Sequence, residues 1–98
     1  MSFTKNVEPL STPGVARQLA AGSSSTNTAL STNVFRVSIR AVGADIRFEI
    51  GAVAQTATTS SHFIANGERL DFAVPPGANI AVIRAGSTSG TLELTELV

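Results

Sequence analysis

Apolar and polar residues alternate along most of this chain. Phe35, Val37, Ile39 and Ala41 alternate with Arg36, Ser38 and Arg40. Ile46, Phe48 and Ile50 alternate with Asp45, Arg47 and Glu49, and Leu70, Phe72 and Val74 with Arg69, Asp71 and Ala73. Near the C-terminus Leu92 and Leu94 share one face, with Thr91, Glu93 and Thr95 on the other. A period of two is that of a strand with one face in a core. Residues Ile80 to Ala85 are apolar at nearly every position, as in a strand buried on both faces. One of those faces is the core. The other, carrying Ala81 and Ile83, is read as a subunit contact.

The runs are separated by turn signals. Asn66-Gly67 between two apolar runs is the strongest short-range hairpin signal a sequence carries, and predicts a hairpin joining Phe63–Ile64 to Leu70–Val74. Val42-Gly43-Ala44 predicts a second hairpin, whose outer face would hold Arg36, Arg40, Arg47, Asp45 and Glu49 in cross-strand ion pairs. Pro75 to Asn79 is a proline- and glycine-set turn, Gly86 to Gly90 a flexible hairpin loop, and Gly51 to Ser61 a loop or irregular edge. Six strands result, at 34–41, 45–50, 62–66, 69–74, 79–85 and 91–97, with one or two more before residue 31. The expected core is Phe35, Val37, Ile39, Ile46, Phe48, Ile50, Leu70, Phe72, Val74, Val82, Leu92 and Leu94, with Phe63 inward as well. Short strands with frequent turns predict an all-β fold: an antiparallel β-sandwich or jelly-roll-like barrel of about 6–8 strands.

The N-terminal third is less regular. Val15 to Ala21 fits a short helix, with Val15 and Leu19 four apart, and also alternates. In an all-β chain it reads as a strand. Gly22 to Thr28 is a Ser/Thr/Asn cluster and reads as a loop. Residues 1–14 are broken by Pro9, Pro13 and Gly14. They read as a frayed terminus or as an extended arm docking on a neighbour through Phe3, Val7 and Leu10. The domain reading is an arm at 1–14 and one β-sandwich at 15–98.

Composition narrows the function. The chain has 98 residues, enough for one domain with an arm. Seven basic and seven acidic residues leave no net charge, where a binder of nucleic acid or of an anionic membrane shows a basic excess. Charged residues are only 14% against 43% hydrophobic, which points to surface covered by other protein. No apolar run approaches the ~18 residues of a membrane span. No signal-peptide pattern follows Lys5, so the chain reads as made in the cytoplasm and soluble.

Catalytic equipment is sparse. His62 is the only histidine, with Asp45 and Asp71 as the aspartates available to a Ser-His-Asp arrangement, and no nucleophile elbow accompanies it. It reads as a surface histidine at a strand start. One histidine and no cysteine argue against a zinc or iron site. On a strand Asp45 and Glu49 would lie about 13 Å apart, beyond the ~5–9.5 Å of glycoside chemistry. Glu68 and Asp71 beside Arg69 read as surface ion pairs. Gly86–Gly90, GSTSG, lacks the lysine of a phosphate loop. With no tyrosine or tryptophan to stack a sugar or a base, carbohydrate and single-strand binding are disfavoured. No enzyme activity and no cofactor are expected.

Four stretches carry a resemblance: AVGADIRFEIG (Ala41–Gly51), ATTSS (Ala57–Ser61), ERLDFAVPPGANIAVIRA (Glu68–Ala85) and TLELTEL (Thr91–Leu97). Together they resemble a group of short structural proteins of tailed phages. In that group a strand ending in Ile-Gly leads to an Ala-Thr-Thr-Ser-type loop, a hairpin, and two closing strands near the C-terminus. The resemblance covers roughly residues 28–98 and brings no active-site residues. It implies a virion component on the capsid surface: a decoration or cement protein bound to the major capsid protein, often a homotrimer. A neck, tail or fibre component is the alternative, and a non-viral binding module a further one.

Overall fold

The computed structural model describes residues 13–97. Their strands are β1 (Pro13–Ala21), β2 (Thr26–Ala29), β3 (Arg36–Val42), β4 (Ile46–Gly51), β5 (His62–Ile64), β6 (Arg69–Ala73), β7 (Asn79–Arg84) and β8 (Gly90–Leu97). The stretch open to helix or strand, Val15 to Ala21, is β-strand, and Pro13-Gly14 belongs to the same strand rather than to the arm. Part of the expected 22–28 loop is β2.

The pairing is nested. β1 lies against β8, β2 against β7, β3 against β6 and β4 against β5, all antiparallel. The chain is thus one long hairpin, folded back at the 52–61 loop and then rolled up. Two further pairings, β3 with β8 and β4 with β7, hold the roll closed. They produce two four-stranded sheets, ordered β1-β8-β3-β6 and β2-β7-β4-β5. This is the strand order of an eight-stranded jelly roll, a β-sandwich in which almost every turn carries the chain from one sheet to the other.

That topology corrects the local hairpins. β5 pairs with β4 and β6 with β3, so the strands flanking Asn66-Gly67 are in different sheets. The same holds for the strands flanking Gly43 and those flanking Gly86–Ser89. Alternation tells which face of a strand is buried, but not which strand lies beside it. The turn itself is real: Gly67 has φ 85°, and the Glu68 N–H donates to the Ala65 carbonyl at 2.8 Å. Its other bonds run to the β3–β4 corner. The Gly67 N–H donates to the Ala41 carbonyl at 2.7 Å. The Asn66 N–H donates to Asp45 Oδ1 at 2.7 Å, and Asn66 Oδ1 accepts from the Gly43 N–H at 3.0 Å.

The charged residues are redistributed accordingly. Arg36 and Arg40 stand on one sheet and Arg47 and Glu49 on the other, so no ladder of ion pairs joins the two runs. Arg47 Nη1 instead donates to the Ser61 carbonyl at 2.9 Å. Glu68 Oε1 accepts from the Ala65 N–H at 2.9 Å, and Arg69 Nη1 donates to Ser38 Oγ at 3.1 Å. Both residues serve the turn and the neighbouring strand rather than a surface ion pair with each other.

The core lies between the sheets. Val37, Ile39, Leu92 and Leu94 face it from the first sheet, and Ile46, Phe48 and Val82 from the second, all buried as the alternation requires. Val74 is buried too, while Ile50, Leu70 and Phe72 are only partly covered. Leu19, Leu30, Val34, Ile64 and Ile80 join the cluster, with Ala21, Ala41 and Ala78 filling the smaller gaps. Fully burying each Val, Leu or Ile contributes roughly 1.5–3 kcal/mol. Phe35 is the clear exception among the expected core residues, at 59% exposed. β3 begins only at Arg36, so the alternation does not extend back to residue 35, and Val34 turns inward instead. Phe63 is also outward. β5 is three residues long and can send only one of two adjacent large side chains inside, which is Ile64.

Candidate functional site

The two long flanks of the sandwich differ. On one, Thr26 Oγ1 of β2 donates to the Ala20 carbonyl of β1 at 3.0 Å, and the Arg84 N–H of β7 donates to the Gly22 carbonyl just after β1 at 3.1 Å. On the other, β5 and β6 are the edges of their sheets and do not pair. Between them lies a groove of about 530 Å³, walled by Phe48, Ile50, His62, Phe63, Leu70, Phe72, Ala73 and Pro75.

Each wall follows from the local sequence. Phe48 points inward from β4, and Phe72 and Leu70 inward from β6, which no further strand covers. Phe48 and Phe72 stack across the sheets with centroids 5.8 Å apart and planes at 17°. His62 stands directly opposite Phe48 in the β4–β5 ladder, its ring 5.5 Å away and tilted 41°. Phe63 is 47% exposed, with the Arg47 guanidinium 5.1 Å above its ring. A half-open apolar groove lined by three phenylalanine rings favours burying apolar side chains of another polypeptide segment. Among the described residues, no three His, Asp or Glu side chains gather as a metal site would need.

The residues the sequence singled out for contact are not brought together here. Phe3, Val7 and Leu10 lie outside the described residues. Ala81 points away from the core, as expected, yet it is 0% exposed. The cover is the chain's own 52–61 loop. It leaves β4 at Gly51 and crosses to β2, where the Gln55 N–H donates to Asn27 Oδ1 at 2.9 Å and the Ala57 N–H to Ser25 Oγ at 2.8 Å. Ala81 sits between Asn27 and Glu49 in the sheet, beneath that crossing. It is therefore not available to a partner. Ile83, one residue pair further along, is half-buried.

The sequence did not mark the groove residues Phe63 and Pro75 for contact, nor the exposed Phe35. Two adjacent large residues in a very short strand, Phe63-Ile64, are the signal that one of them must face out.

Among the described residues, one charged group is buried. Glu96 is 1% exposed and continues the inward face of Leu92 and Leu94. Its Oε2 accepts from Arg17 Nε at 2.9 Å and from the Ser31 N–H at 3.0 Å, and lies 2.9 Å from Arg17 Nη2. Arg17 is opposite Leu94, diagonally across the β1–β8 ladder from Glu96. Burial alone pushes the Glu96 carboxyl up. The hydrogen bonds from Ser31 and Arg17, with the charge of Arg17, outweigh it and hold the group below its ordinary value. The pair fastens the β2–β3 loop to the middle of β1 and the end of β8.

Comparison with protein-family models, with curated proteins and with solved structures finds no match to this chain.

Proposed function

We propose that this protein is a structural virion component of a tailed phage, decorating the capsid exterior and cementing it by binding the major capsid protein. The resemblance carried by Ala41–Gly51, Ala57–Ser61, Glu68–Ala85 and Thr91–Leu97 supports the reading. The observation that carries it in three dimensions is the exposed apolar surface of a β-sandwich this small. Val53 on the 52–61 loop and Phe63 on β5 are exposed on the side of the second sheet, on a chain without net charge. Such surface is stabilised by contact with other protein. Many copies on a lattice gain avidity from neighbours, so no single interface has to be strong. A homotrimer suits this arrangement, because each protomer then meets the lattice together with two others. The groove histidine, His62, has a packing role against Phe48, and no catalytic step is assigned to it.

The test is binding of the purified protein to heads that lack it. Cosedimentation that saturates at hundreds of copies per particle supports decoration. Saturation at a dozen copies or fewer supports the neck or tail alternative, and no cosedimentation contradicts both.

A further inference from the structure

Among the described residues, no strand pairs with the outer edge of β6. Its main-chain groups alternate in direction. The Val74 N–H donates to the Phe35 carbonyl at 2.8 Å and the Ala41 N–H to the Glu68 carbonyl at 3.2 Å. In the β3–β6 register, the main-chain groups of Leu70 and Phe72 therefore also face β3, and those of Arg69, Asp71 and Ala73 point out from the edge. An uncovered edge of this kind is a template for another strand.

The side chains on this edge specify which strand fits. Arg69 and Asp71 are exposed on the outer face of the first sheet. Across β3, Arg69 stands opposite a like charge, Arg40, which has Glu93 on its other side. Arg69 donates to Ser38 Oγ at 3.1 Å but forms no ion pair among the described residues. Antiparallel pairing with a second copy puts a two-fold axis on β6. Centred on Arg69 or on Asp71, the axis sets like charges face to face, which destabilises the pair. Centred on Phe72, it sets Arg69 opposite Pro75, which has no N–H to give. Centred on Leu70, it sets Arg69 opposite the partner's Asp71 and Asp71 opposite the partner's Arg69. These are residues whose main-chain groups point outward, so each pair also exchanges two main-chain hydrogen bonds.

We infer that two copies of this chain pair antiparallel through β6, about a two-fold axis at Leu70, and close their apolar grooves against each other. The pairing runs the two first sheets into one. On the inner face Leu70 meets the partner's Leu70. Phe72 meets the stem of the partner's Glu68, whose Oε1 is held by its own Ala65 N–H at 2.9 Å. The same axis turns the two grooves toward each other, so the half-buried Leu70 and Phe72 and the exposed Phe63 leave water together. Such an isologous contact uses one edge only. The rest of the protomer stays open to a three-fold contact, so the pairing also suits trimers joined on a lattice.

The chain has no cysteine, so single cysteines report the contact in the full-length protein. Leu70→Cys puts the two thiols in a non-hydrogen-bonded pair with Cα atoms about 4.5 Å apart, within disulfide range. Ala73→Cys, on the same exposed edge, leaves its two copies about 20 Å apart along the strands. Mild oxidation of micromolar protein should link Leu70→Cys into dimers on a non-reducing gel and leave Ala73→Cys unlinked. Added to Leu70→Cys, either Arg69→Asp or Asp71→Arg turns both attractive pairs repulsive and should slow linking roughly tenfold, with the amide spectrum still that of a folded chain. Mixing these two charge variants restores linking, because each then meets the opposite charge. Equal linking of Leu70→Cys and Ala73→Cys overturns the inference. So do charge variants that link as fast as the parent, or folded ones whose mixture links no faster than either alone. No phage heads enter the experiment, so its outcome is independent of the proposed decoration.

Discussion

Phe48 of β4 and Phe72 of β6 stack across the two sheets at 5.8 Å and 17°, an aromatic pair that bridges the open flank. Offset aromatic pairs contribute about 0.5–1.5 kcal/mol beyond the area they bury. Phe72 is half-buried, so Phe72→Ala is expected to cost less than the roughly 3–5 kcal/mol of a fully buried phenylalanine. A double-mutant cycle with Phe48→Leu and Phe72→Leu, read by urea unfolding, should give a coupling energy within the stacking range. Additive single effects would mean that the rings touch without stabilising one another.

Glu96 links stability to pH. Its carboxyl is held below the ordinary value of 4.5 in the folded chain. A depressed folded value contributes stability that is complete above the unfolded value and is lost as pH falls below it, through the folded value. Glu96→Gln should therefore destabilise the protein at pH 7 and progressively less below about 4.5. Arg17 is partly exposed, so the effect at pH 7 should fall below the about 3–5 kcal/mol seen when one partner of a fully buried pair is removed. Denaturant titrations of both proteins from pH 7 to pH 3 measure this. A difference that does not change with pH would place the contribution in hydrogen bonding alone.

Gly90 opens β8 where three backbones converge. A Cβ there would stand 2.8 Å from the Val42 carbonyl oxygen and 3.0 Å from the Ala44 nitrogen, both main-chain atoms that cannot swing aside. Gly90→Ala is expected to cost about 1–3 kcal/mol through overpacking. Gly67 is constrained differently. Open space surrounds it, but its φ of 85° is left-handed. Gly67→Ala should cost about 1–2 kcal/mol, from the backbone alone. Gly67→Asn, which tolerates that conformation better, should recover part of the loss in thermal melts, whereas Gly90→Asn should be worse than Gly90→Ala.

Ala81 separates a surface reading from a structural one. Under the 52–61 loop it has no room for a longer side chain, so Ala81→Leu should destabilise by about 1–3 kcal/mol and loosen the loop. Faster hydrogen exchange at Gln55 and Ala57, whose N–H groups hold the loop to β2, is the accompanying signal. Full stability of Ala81→Leu with unchanged exchange would mean that this face is open.

How much of this was legible in the sequence differs by scale. The strands after residue 31 follow from alternation, because a sandwich strand has one dry face and one wet one. The roll does not follow. Asn66-Gly67 makes its turn, yet the turn connects sheets, since Ile64 is paired by β4 and Leu70 by β3. That choice is made by contacts far apart in the chain, which no local signal encodes. Glu96 was within reach: it continues the parity of Leu92 and Leu94, and a charge at such a position requires a partner inside. Of the contact residues, Ala81 was given the correct face but not its cover, because a loop crossing from Gly51 to Asn27 leaves no mark on strand periodicity. The groove was illegible for the same reason. It exists because β5 and β6 are unpaired edges, a fact of topology.

Copy number in purified particles decides whether the proposed capsid decoration holds. Quantitative mass spectrometry against the major capsid protein, with the particle imaged after labelling this chain, gives that number and the location. Hundreds of copies spread over the capsid exterior are expected. Absence from the particle, or a dozen or fewer copies gathered at the neck or tail, would contradict it.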